Sequence, residues 1–531
     1  MTRPILIVLH RLAHGGVTQA VLDQARMFER AGRMVTIATF DDDPAFRSSV
    51  ASLRESGRLP RGVEVLNVYE DTRQAAGGRS GTRSAAGIRE RATAAGRTLS
   101  RRVRRQISSV SNDDLTEMGE DKHGPYRRRF TAAGEYYAFD RLDTSGCVAY
   151  TNFFENRFLI RRDDMEDGFA ARRTWFTAAG AANRVEFMTP EGLCFAQRWT
   201  DPEDGHGLGV YVVQPGTRTM RRFSGLPAWH AAWLQSVVDR SDTPPYVIAE
   251  TASAITKMLK LRRDSAVRLG MMHNSHLASP FAVDSPLRPD YEDPFAKLDQ
   301  VDAYVLLSER QRRDMTERLG HAETFTVVPN ALVIPPEPAE RRDPRLVSII
   351  SRLAPQKALH EAVHAFAGVV EQVPEARLEI YGRGSERSAL ESLVSELGIQ
   401  GNVEFMGRTD DPNGVMARSI CTLSTSDWEA LPLSIAESLA VATPVVAYDC
   451  LYGPSTLIRD GESGVIVPRG EREGLADAVV DLLRAPEKAA RMGAAGREDI
   501  SQRLSFDAVL RDWDRAFAHA EARSGLPGSS H

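Results

Sequence analysis

The sequence predicts an α/β protein with two Rossmann-like domains and an antiparallel β-meander inserted into the first of them. Three observations support this fold class. Apolar strands alternate with helical segments near both ends of the chain, a pattern typical of parallel sheets covered by helices. A central stretch holds short aromatic or β-branched runs separated by turn residues, as antiparallel sheets do. The length of 531 residues also exceeds the usual size of a single core.

The first Rossmann-like domain begins close to residue 1. Residues 5–9 are an apolar strand, and Gly15 and Gly16 open a predicted helix that runs to about residue 31. Because glycine has no Cβ, the backbone of this loop can approach a phosphate or a sugar closely. A turn that simply needs glycine gives the same pattern. A second strand over 35–39 completes the start of a βαβ unit.

The second Rossmann-like domain repeats the alternation of strand and helix. Its predicted parallel strands are 346–351, 378–381, 403–405, 421–425 and 445–447. Gly382 and Gly384 lie in a turn between the second of these strands and a helix. A Gly-x-Gly pair is weak evidence alone, but its place in the strand order favours a role on the nucleotide side of a site.

The stretch 427–437 is the most informative part of the chain. Glu429 precedes a helix predicted over 433–442, Glu437 lies within that helix, and Pro432 suits its first position. The free N–H groups of the helix start suit a diphosphate, and the carboxylates can accept hydrogen bonds from sugar hydroxyls. Acids near a helix start are also ordinary dipole partners, so this pattern alone leaves both interpretations open.

Two basic residues follow the strand 346–351. Arg352 lies at its carboxyl end, and Lys357 comes just before the next helix. Cations at this edge of a parallel sheet can neutralise a diphosphate, both when it binds and when it leaves with extra charge. Isolated surface cations are more often solvated, so these two residues alone leave both interpretations open.

His273 and His276 follow an apolar strand over 266–272. Paired histidines invite a metal interpretation, but no acidic or cysteine partner lies nearby at ligand spacing. The sequence therefore predicts no metal site and no cofactor.

Composition excludes several classes of protein. A net charge of −5 gives no reason to expect nucleic acid as a partner. No apolar run reaches the length of a transmembrane helix, and a core strand follows the first four residues directly, so no signal peptide is predicted. The four cysteines are scattered without metal spacing, as in a reduced, cytoplasmic protein.

The predicted insertion has two parts. Residues 73–105 hold ten arginines and one acid. This arm is either simply solvated or a contact for polyanions, such as an acceptor or anionic lipid at the inner face of the cell membrane. The second part, up to residue 227, is the predicted β-meander, whose open edges make it a candidate surface for homo-oligomers or acceptor docking.

These motifs together resemble the retaining GT-B glycosyltransferases of family 4. The resemblance rests on two glutamates separated by seven residues, a Pro-Val-Val-Ala strand at 444–447 and an Asp-Gly-x-x-Gly turn at 460–464. The meander and the Asp-x-x-Tyr-Gly-Pro-Ser motif at 449–455 resemble the subgroup with wall teichoic acid and poly(glycerol-phosphate) α-glycosyltransferases. Thr456 stands where that subgroup usually has an acid.

The resemblance implies a GT-B architecture, in which the two Rossmann-like domains face a cleft. Residues 1–70 and 228–335 then form the N-terminal domain, 71–227 the insertion, and 336–500 the nucleotide-sugar domain. Residues 501–531 form a helix that crosses back to the N-terminal domain, with a tail. A stripe of apolar residues in that helix is expected to be core packing.

The resemblance also implies roles at the site. Arg352 and Lys357 stabilise the leaving diphosphate, Glu429 and His273 contact the donor sugar, and Glu437 binds the ribose. The remaining predicted donor-binding residues are Gly15, Gly16, Gly382, Gly384, Ala430, Leu431 and Pro432.

The implied reaction moves glucose or N-acetylglucosamine from a UDP-sugar to a hydroxyl, with a teichoic acid polymer as the expected acceptor. Two alternatives stay open. One is a protein O-glycosyltransferase acting on serine-rich protein, and the other is a non-catalytic GT-B partner subunit that recognises the acceptor. A partner subunit would be expected to lack the cations or the glutamates that are present here.

Overall fold

The computed structural model describes residues 3–12, 15–77, 115–217, 219–336 and 342–527. By its internal contacts the chain divides into two compact units. The first unit comprises Met1–Ile37, Arg58–Glu64 and Val238–His531, and the second comprises Ala38–Gly57 and Val65–Val237. Both Rossmann-like domains therefore lie mainly in the first unit, and the second contains the meander.

The N-terminal Rossmann domain starts with strands and helices in alternation. Its first strands are β1 (Ile5–Val8), β2 (Val35–Thr39) and β3 (Glu64–Asn67). The helices in this part of the chain are Gly16–Arg30, Phe46–Glu55 and Val68–Gly77. The predicted first strand, glycine loop and helix are confirmed within one residue.

The meander is an antiparallel sheet of ten strands among the described residues, which neighbour one another in chain order. They are β4 (Leu115–Asp121), β5 (Gly124–Phe130), β6 (Tyr136–Leu142), β7 (Val148–Glu155), β8 (Phe158–Glu166), β9 (Phe169–Phe176), β10 (Ala182–Met188), β11 (Cys194–Thr200), β12 (Gly207–Val213) and β13 (Met220–Phe223). The aromatic or β-branched runs that predicted the meander are 135–140, 148–150, 158–160, 173–176, 184–187, 193–196 and 209–213. They correspond to β6 to β12, while β4, β5 and β13 were missed. Those strands are rich in charged residues and poor in β-branched ones, so propensity gave no signal.

The prediction for Arg73 was wrong. Arg73 lies in the helix Val68–Gly77 with its side chain buried. There it forms ion pairs with Glu70 and, at 2.7 Å, with Glu166 of β8. Arg73 is therefore an internal structural residue, since a buried charge needs partners. Residues 78–105 of the predicted arginine-rich arm lie outside the described part of the chain.

One face of the meander carries arginines between aromatic rings. Strand register places Phe153, Arg161, Trp175, Arg184 and Trp199 side by side across β7 to β11. The guanidinium of Arg161 lies 4.0 Å from the ring centre of Phe153 and 5.4 Å from that of Trp175. That of Arg184 lies 4.8 Å from Trp175 and 5.1 Å from Trp199. We call these five residues the arginine–aromatic ladder.

Replacing Trp175 by alanine is expected to destabilise the second unit by about 2–4 kcal/mol. The change removes a ring from between two guanidinium groups and a hydrogen bond of 2.9 Å from the indole Nε1 to Glu186. Urea unfolding monitored by circular dichroism measures the loss. Trp175→Phe keeps a ring and is the matched control, so equal losses in the two variants would contradict a stacking contribution.

Strands after the meander complete the first sheet. They are β14 (Tyr246–Ala249), β15 (Val267–Met271), β16 (Ala303–Leu306) and β17 (Phe325–Val327). Within the described chain the sheet has seven strands in the order β17-β16-β15-β14-β1-β2-β3. The helices here are Leu226–Val238, Ala252–Met258, Glu292–Phe295 and Glu309–Leu319. The order places the carboxyl ends of β1, β14 and β15 next to one another.

The C-terminal Rossmann domain has a six-stranded sheet in its described residues, in the order β20-β19-β18-β21-β22-β23. Its strands are β18 (Leu346–Ile350), β19 (Arg377–Tyr381), β20 (Val403–Gly407), β21 (Cys421–Ser424), β22 (Val445–Asp449) and β23 (Gly464–Pro468). All five predicted parallel strands are confirmed. The sheet packs on helices Leu359–Gln372 and Arg472–Arg484 through buried apolar side chains, including Phe366 and Leu475.

The remaining helices of this domain connect its strands or end the chain. They are Arg387–Glu396, Pro412–Arg418, Leu433–Ala440, Pro454–Leu457, Pro486–Leu504 and Phe506–Ser524. The last helix packs on the N-terminal Rossmann domain, as predicted. Its Phe517 ring stacks on Tyr246 with centroids 4.0 Å apart, and its Trp513 ring meets Phe28 edge-on at 5.5 Å. In the described part of the chain, no helix combines the length and the apolarity needed to cross a membrane.

Candidate active site

Loops from three neighbouring strands meet at the carboxyl edge of the C-terminal sheet. After β18 comes Arg352 and a short 3-10 turn, Pro355–Lys357. After β21 comes the loop with Glu429, and after β22 the loop with Tyr452. Because β18, β21 and β22 are adjacent parallel strands, their carboxyl ends bring these loops together, as in other open α/β sheets.

Lys357 and Glu429 form an ion pair at the centre of this edge. The Nζ of Lys357 lies 2.5 Å from Oε1 of Glu429, and the two side chains are 16% and 10% exposed. The hydroxyl of Thr425 donates to the carbonyl oxygen of Lys357 at 3.0 Å and fixes the backbone there. The sequence predicted both residues at the site, and the structure brings them into direct contact.

Arg352 is exposed and is held by Gln356. One guanidinium nitrogen of Arg352 donates to Oε1 of Gln356 at 3.0 Å, and Nε2 of Gln356 donates to the carbonyl oxygen of Trp428 at 2.9 Å. The carbonyl oxygen of Gln356 accepts from the backbone N–H of Asp427, also at 2.9 Å. Gln356 thus joins the arginine to the Glu429 loop. Sequence inspection missed it, although it lies between the two predicted cations.

Gly382 and Gly384 are required where their loop crosses the one with Arg352. A Cβ on Gly382 would lie 1.8 Å from the carbonyl oxygen of Ser351, and one on Gly384 would lie 2.0 Å from that of Leu353. Gly382 also has a φ of 146°, which favours glycine. These glycines therefore have a packing role that supports Arg352, and their predicted contact with a donor stays a prediction.

Ala430, Leu431 and Pro432 lead into the helix Leu433–Ala440, and all three are buried. Pro432 is the residue before the helix, with φ −71° and ψ 105°, so its predicted place at the first helical position was wrong by one residue. The helix also ends earlier than predicted, since Ala442 has a left-handed φ of 61°. Pro432 packs closely on Gly453, which holds the two loops together.

Glu437 lies in the second turn of that helix and faces Asp23 of the helix Gly16–Arg30. Burial, followed by the negative charge of Asp23, raises the pKa of Glu437 to about 7. Burial likewise raises the pKa of Asp23, which accepts a hydrogen bond from Gln19 at 2.8 Å. Burial and the charge of Asp23 therefore both oppose ionisation of Glu437. Sequence inspection missed Asp23, which reads as an ordinary helical acid.

The glycine loop lies beside the same helix start. Gly15 has a φ of 152° and no atom within 4 Å of a hypothetical Cβ, so its conformation, not crowding, requires glycine. A Cβ on Gly16 would meet Cδ1 of Leu433 at 3.9 Å, an ordinary contact. The N-terminal and C-terminal Rossmann domains thus approach each other at Gly16 and Leu433, with open space at Gly15.

His273 is paired with Glu250, a residue that sequence inspection missed. Nε2 of His273 lies 2.5 Å from Oε2 of Glu250, and the side chains are 6% and 0% exposed. Each follows a strand, β15 and β14, and these strands are parallel neighbours. With Glu250 as a carboxylate, Nε2–H of His273 donates a hydrogen bond to it, and Nδ1 is the other polar atom of the ring. Glu250 could have been found in the sequence as the first polar residue after the apolar strand β14.

His276 lies in a different environment. It is buried, and its ring stacks on Tyr452 with centroids 5.7 Å apart. Burial, aided by the charge of Arg318, lowers the pKa of His276 to about 4, so the ring is neutral near pH 7. Among the described residues, no group of three or more His, Cys, Asp or Glu side chains is arranged to hold a metal ion.

Part of the chain matches a known family, and individual proteins match longer stretches of it. The family profile described as Glycosyl transferases group 1 matches residues 333–499. The poly(ribitol-phosphate) alpha-N-acetylglucosaminyltransferase of Staphylococcus aureus (strain COL) is 22% identical over 518 residues, 97% of this chain and 99% of that protein. The poly(glycerol-phosphate) alpha-glucosyltransferase of Bacillus subtilis (strain 168) is 30% identical over 256 residues, 48% of this chain and 38% of that protein.

Solved structures show the same fold. The crystal structure of a mutant of S. aureus TarM superimposes with a TM-score of 0.85 at 21% identity, covering 97% of this chain and 100% of that one. The two Rossmann-like domains and the loops at their strand ends thus define a glycosyltransferase with the GT-B fold. The part of the chain that matches the group 1 glycosyltransferases is residues 333–499, which form most of its C-terminal Rossmann domain.

Proposed function

We propose that this enzyme transfers glucose or N-acetylglucosamine from a UDP-sugar to a hydroxyl of a polyol-phosphate polymer, with retention of anomeric configuration. The observation that carries the proposal is the meeting of Arg352, Lys357 and Glu429 at one sheet edge, beside the contacts that His276 and Gly16 of the N-terminal Rossmann domain make with Tyr452 and Leu433. Two cations and a carboxylate at the same edge suit a donor that has a diphosphate at one end and hydroxyls at the other.

The cations would act on the leaving group. As the bond between sugar and diphosphate breaks, negative charge grows on the β-phosphate, and Arg352 and Lys357 stabilise it. Lys357 already lies in a poorly solvated pocket, where its charge acts more strongly than in water. Its ion pair with Glu429 holds the ammonium in place and orients the carboxylate toward the hydroxyls of the donor sugar.

Retention of the anomeric configuration follows from the face of the sugar on which the diphosphate leaves. A leaving phosphate on the same face as the incoming hydroxyl can take the proton from that hydroxyl, so Glu429 need not form a covalent bond. His273, fixed by Glu250, would present Nδ1 to the donor sugar from the N-terminal Rossmann domain. Closure of the cleft would exclude water, which otherwise competes with the acceptor.

The acceptor class is inferred from the relatives. Two curated proteins that match this chain transfer sugars to poly(ribitol-phosphate) and poly(glycerol-phosphate), and the first matches along nearly its whole length. The similar TarM structure was solved with UDP, alpha-GlcNAc-glycerol and the ligand Fondaparinux. These findings support a teichoic acid acceptor over a serine-rich protein. Four unpaired cysteines fit a reduced cytoplasmic setting for this reaction.

The test is a UDP-release screen of UDP-glucose and UDP-N-acetylglucosamine against three acceptors. These are a glycerol-phosphate polymer, a ribitol-phosphate polymer and a serine-rich peptide. We expect UDP release with one of the polymers only. Release with the peptide alone would establish the protein O-glycosyltransferase instead, and no release with any donor would favour a partner subunit.

Transfer is expected to continue without divalent metal, because the two cations supply the charge that a metal would otherwise provide. After dialysis against EDTA, the rate should stay within about twofold of the untreated enzyme. The same assay with added Mg²⁺ or Mn²⁺ is the control. Loss of transfer on chelation, followed by recovery on adding metal, would contradict this mechanism.

A further inference from the structure

A loop of the N-terminal Rossmann domain contacts the C-terminal domain at two aromatic rings. This loop, residues 276–288, follows β15, and a bridge between Leu277 and Leu287 closes its base. The ring of Phe281 stacks on that of Trp428 with centroids 3.7 Å apart and planes 12° apart. The ring of His276 stacks on that of Tyr452 at 5.7 Å and 21°. The 276–288 loop therefore holds two residues of the facing domain.

Phe281 adopts a backbone conformation that bulky residues rarely use. Its φ is 64°, in the left-handed region that is unfavourable for an L-residue. The loop holds it there through a hydrogen bond from the N–H of Phe281 to the carbonyl oxygen of Ala278 at 2.9 Å. A second bond joins the N–H of Ala282 to the hydroxyl of Ser285 at 2.9 Å. An unfavourable conformation at the point of contact with Trp428 suggests that the contact itself has a function.

The two rings held by the loop lie on either side of Glu429. Trp428 precedes Glu429 in the chain. The N–H of Glu429 donates to the carbonyl oxygen of Leu451 at 2.8 Å, and the N–H of Tyr452 donates to the carbonyl oxygen of Glu429 at 3.2 Å. The backbone of Glu429 is thus fixed between two residues that both touch the N-terminal domain.

The same contact reaches Arg352 through Gln356. The carbonyl oxygen of Trp428 accepts a hydrogen bond from Nε2 of Gln356, whose Oε1 accepts one from Arg352. A shift of Trp428 would therefore move the partner that holds the Arg352 guanidinium. Both the carboxylate and the exposed cation of the site depend on where the Trp428 backbone lies.

We propose that the 276–288 loop couples closure of the cleft to alignment of the site. Phe281 packs on Trp428, and His276 packs on Tyr452. These two contacts fix the position of Glu429 and, through Gln356, the position of Arg352. Phe281 and Gln356 are then positioning residues. This inference rests on the proposed roles of Arg352 and Glu429 toward the donor.

Nucleotide affinity and the rate of sugar transfer should respond differently to the loss of Phe281. Among the ring contacts and hydrogen bonds described for it, Phe281 does not contact Lys357, Glu437 or the glycine loop, so its removal should weaken nucleotide binding much less than it slows transfer. Misalignment of Glu429 and Arg352 should slow transfer, because the fit to the transition state is lost while ground-state binding remains. It should also let water compete better, since closure no longer completes the site.

The experiment compares Phe281→Ala with Phe281→Tyr in the full-length enzyme. Val283→Ala is the matched control, because Val283 lies on the same loop and is 60% exposed. We expect Phe281→Ala to lower kcat for transfer about tenfold, to leave the Kd for UDP within about twofold, and to raise the share of UDP-sugar lost to hydrolysis. Phe281→Tyr, which keeps the ring, should restore all three values to those of the parent.

Three results would overturn the proposal. They are an unchanged kcat in Phe281→Ala, a loss of UDP affinity equal to the loss of kcat, and a failure of Phe281→Tyr to restore transfer. Gln356→Leu is the second variant, used if Phe281→Ala does not fold, and it should show the same fall in kcat at unchanged UDP affinity. If the parent transfers to no acceptor, the proposed function fails, and hydrolysis of the UDP-sugar still reports on the loop.

Discussion

Replacing Lys357 by alanine is expected to lower kcat for sugar transfer by about 100- to 1000-fold. The ammonium is the cation of the site with the least solvent around it, so its charge on the departing diphosphate is weakly screened. The variant also leaves Glu429 without the partner 2.5 Å away, which disturbs the contact proposed for the donor sugar.

Steady-state kinetics with UDP-glucose or UDP-N-acetylglucosamine and the polymer found in the screen measure the effect. Lys488→Ala is the matched control, because Lys488 forms an ion pair with Asp481 on the surface and is 41% exposed. The control should keep parental kinetics within about twofold. Parental turnover in Lys357→Ala would remove the charge stabilisation on which the mechanism depends.

Replacing Glu437 by glutamine is expected to weaken binding of the UDP-sugar about 100-fold at pH 8. Only the carboxylate can accept hydrogen bonds from both ribose hydroxyls without donating, whereas the amide has a single acceptor oxygen. Isothermal titration calorimetry of the parent and the variant measures the difference. Equal affinities would show that Glu437 does not bind the ribose.

The affinity of the parent should depend on pH in a defined direction. The pKa of Glu437 is raised to about 7, so the group is mostly protonated at pH 6 and mostly ionised at pH 8. Binding that needs the carboxylate should therefore strengthen about tenfold from pH 6 to pH 8. A UDP-sugar suits this test because its esterified phosphates do not titrate in that range.

Two variants check the origin of this pH dependence. Asp23→Asn removes the negative charge that helps to raise the pKa of Glu437, so the rise in affinity should move to lower pH. Glu437→Gln should abolish the rise. A parent whose affinity is flat across this range would contradict the assignment of the titrating group.

Some parts of the fold could be predicted from the sequence because their signals are local. Apolar runs ended by turn residues marked the parallel strands, and the aromatic runs marked β6 to β12. The strands β4, β5 and β13 carry charged residues in place of these signals, and they are strands because a neighbouring strand supplies the hydrogen bonds. Tertiary pairing decided their structure.

The arginine–aromatic ladder could not be predicted from the sequence either. Register alone brings arginines and aromatic rings from separate strands into contact, and no spacing along the chain reports it. Arg73 was assigned to an arm that is either solvated or a contact for polyanions, because it begins a run of arginines. Its burial depends on Glu166, 93 positions away, which only the folded chain brings near.

The sequence by itself determined which residues follow the strand ends and are proposed to carry the chemistry, among them Arg352, Lys357, Glu429 and His273. It could do so because short loops after parallel strands meet at one edge of a sheet. The places of Glu250 beside His273, Gln356 beside Arg352, Asp23 near Glu437 and Phe281 on Trp428 were decided only by tertiary structure. Each of these four residues either lies on another element or acts through the geometry of its side chain. Whether a charge is buried or a loop is aligned depends on the atoms that surround it, and only the folded chain brings those atoms together.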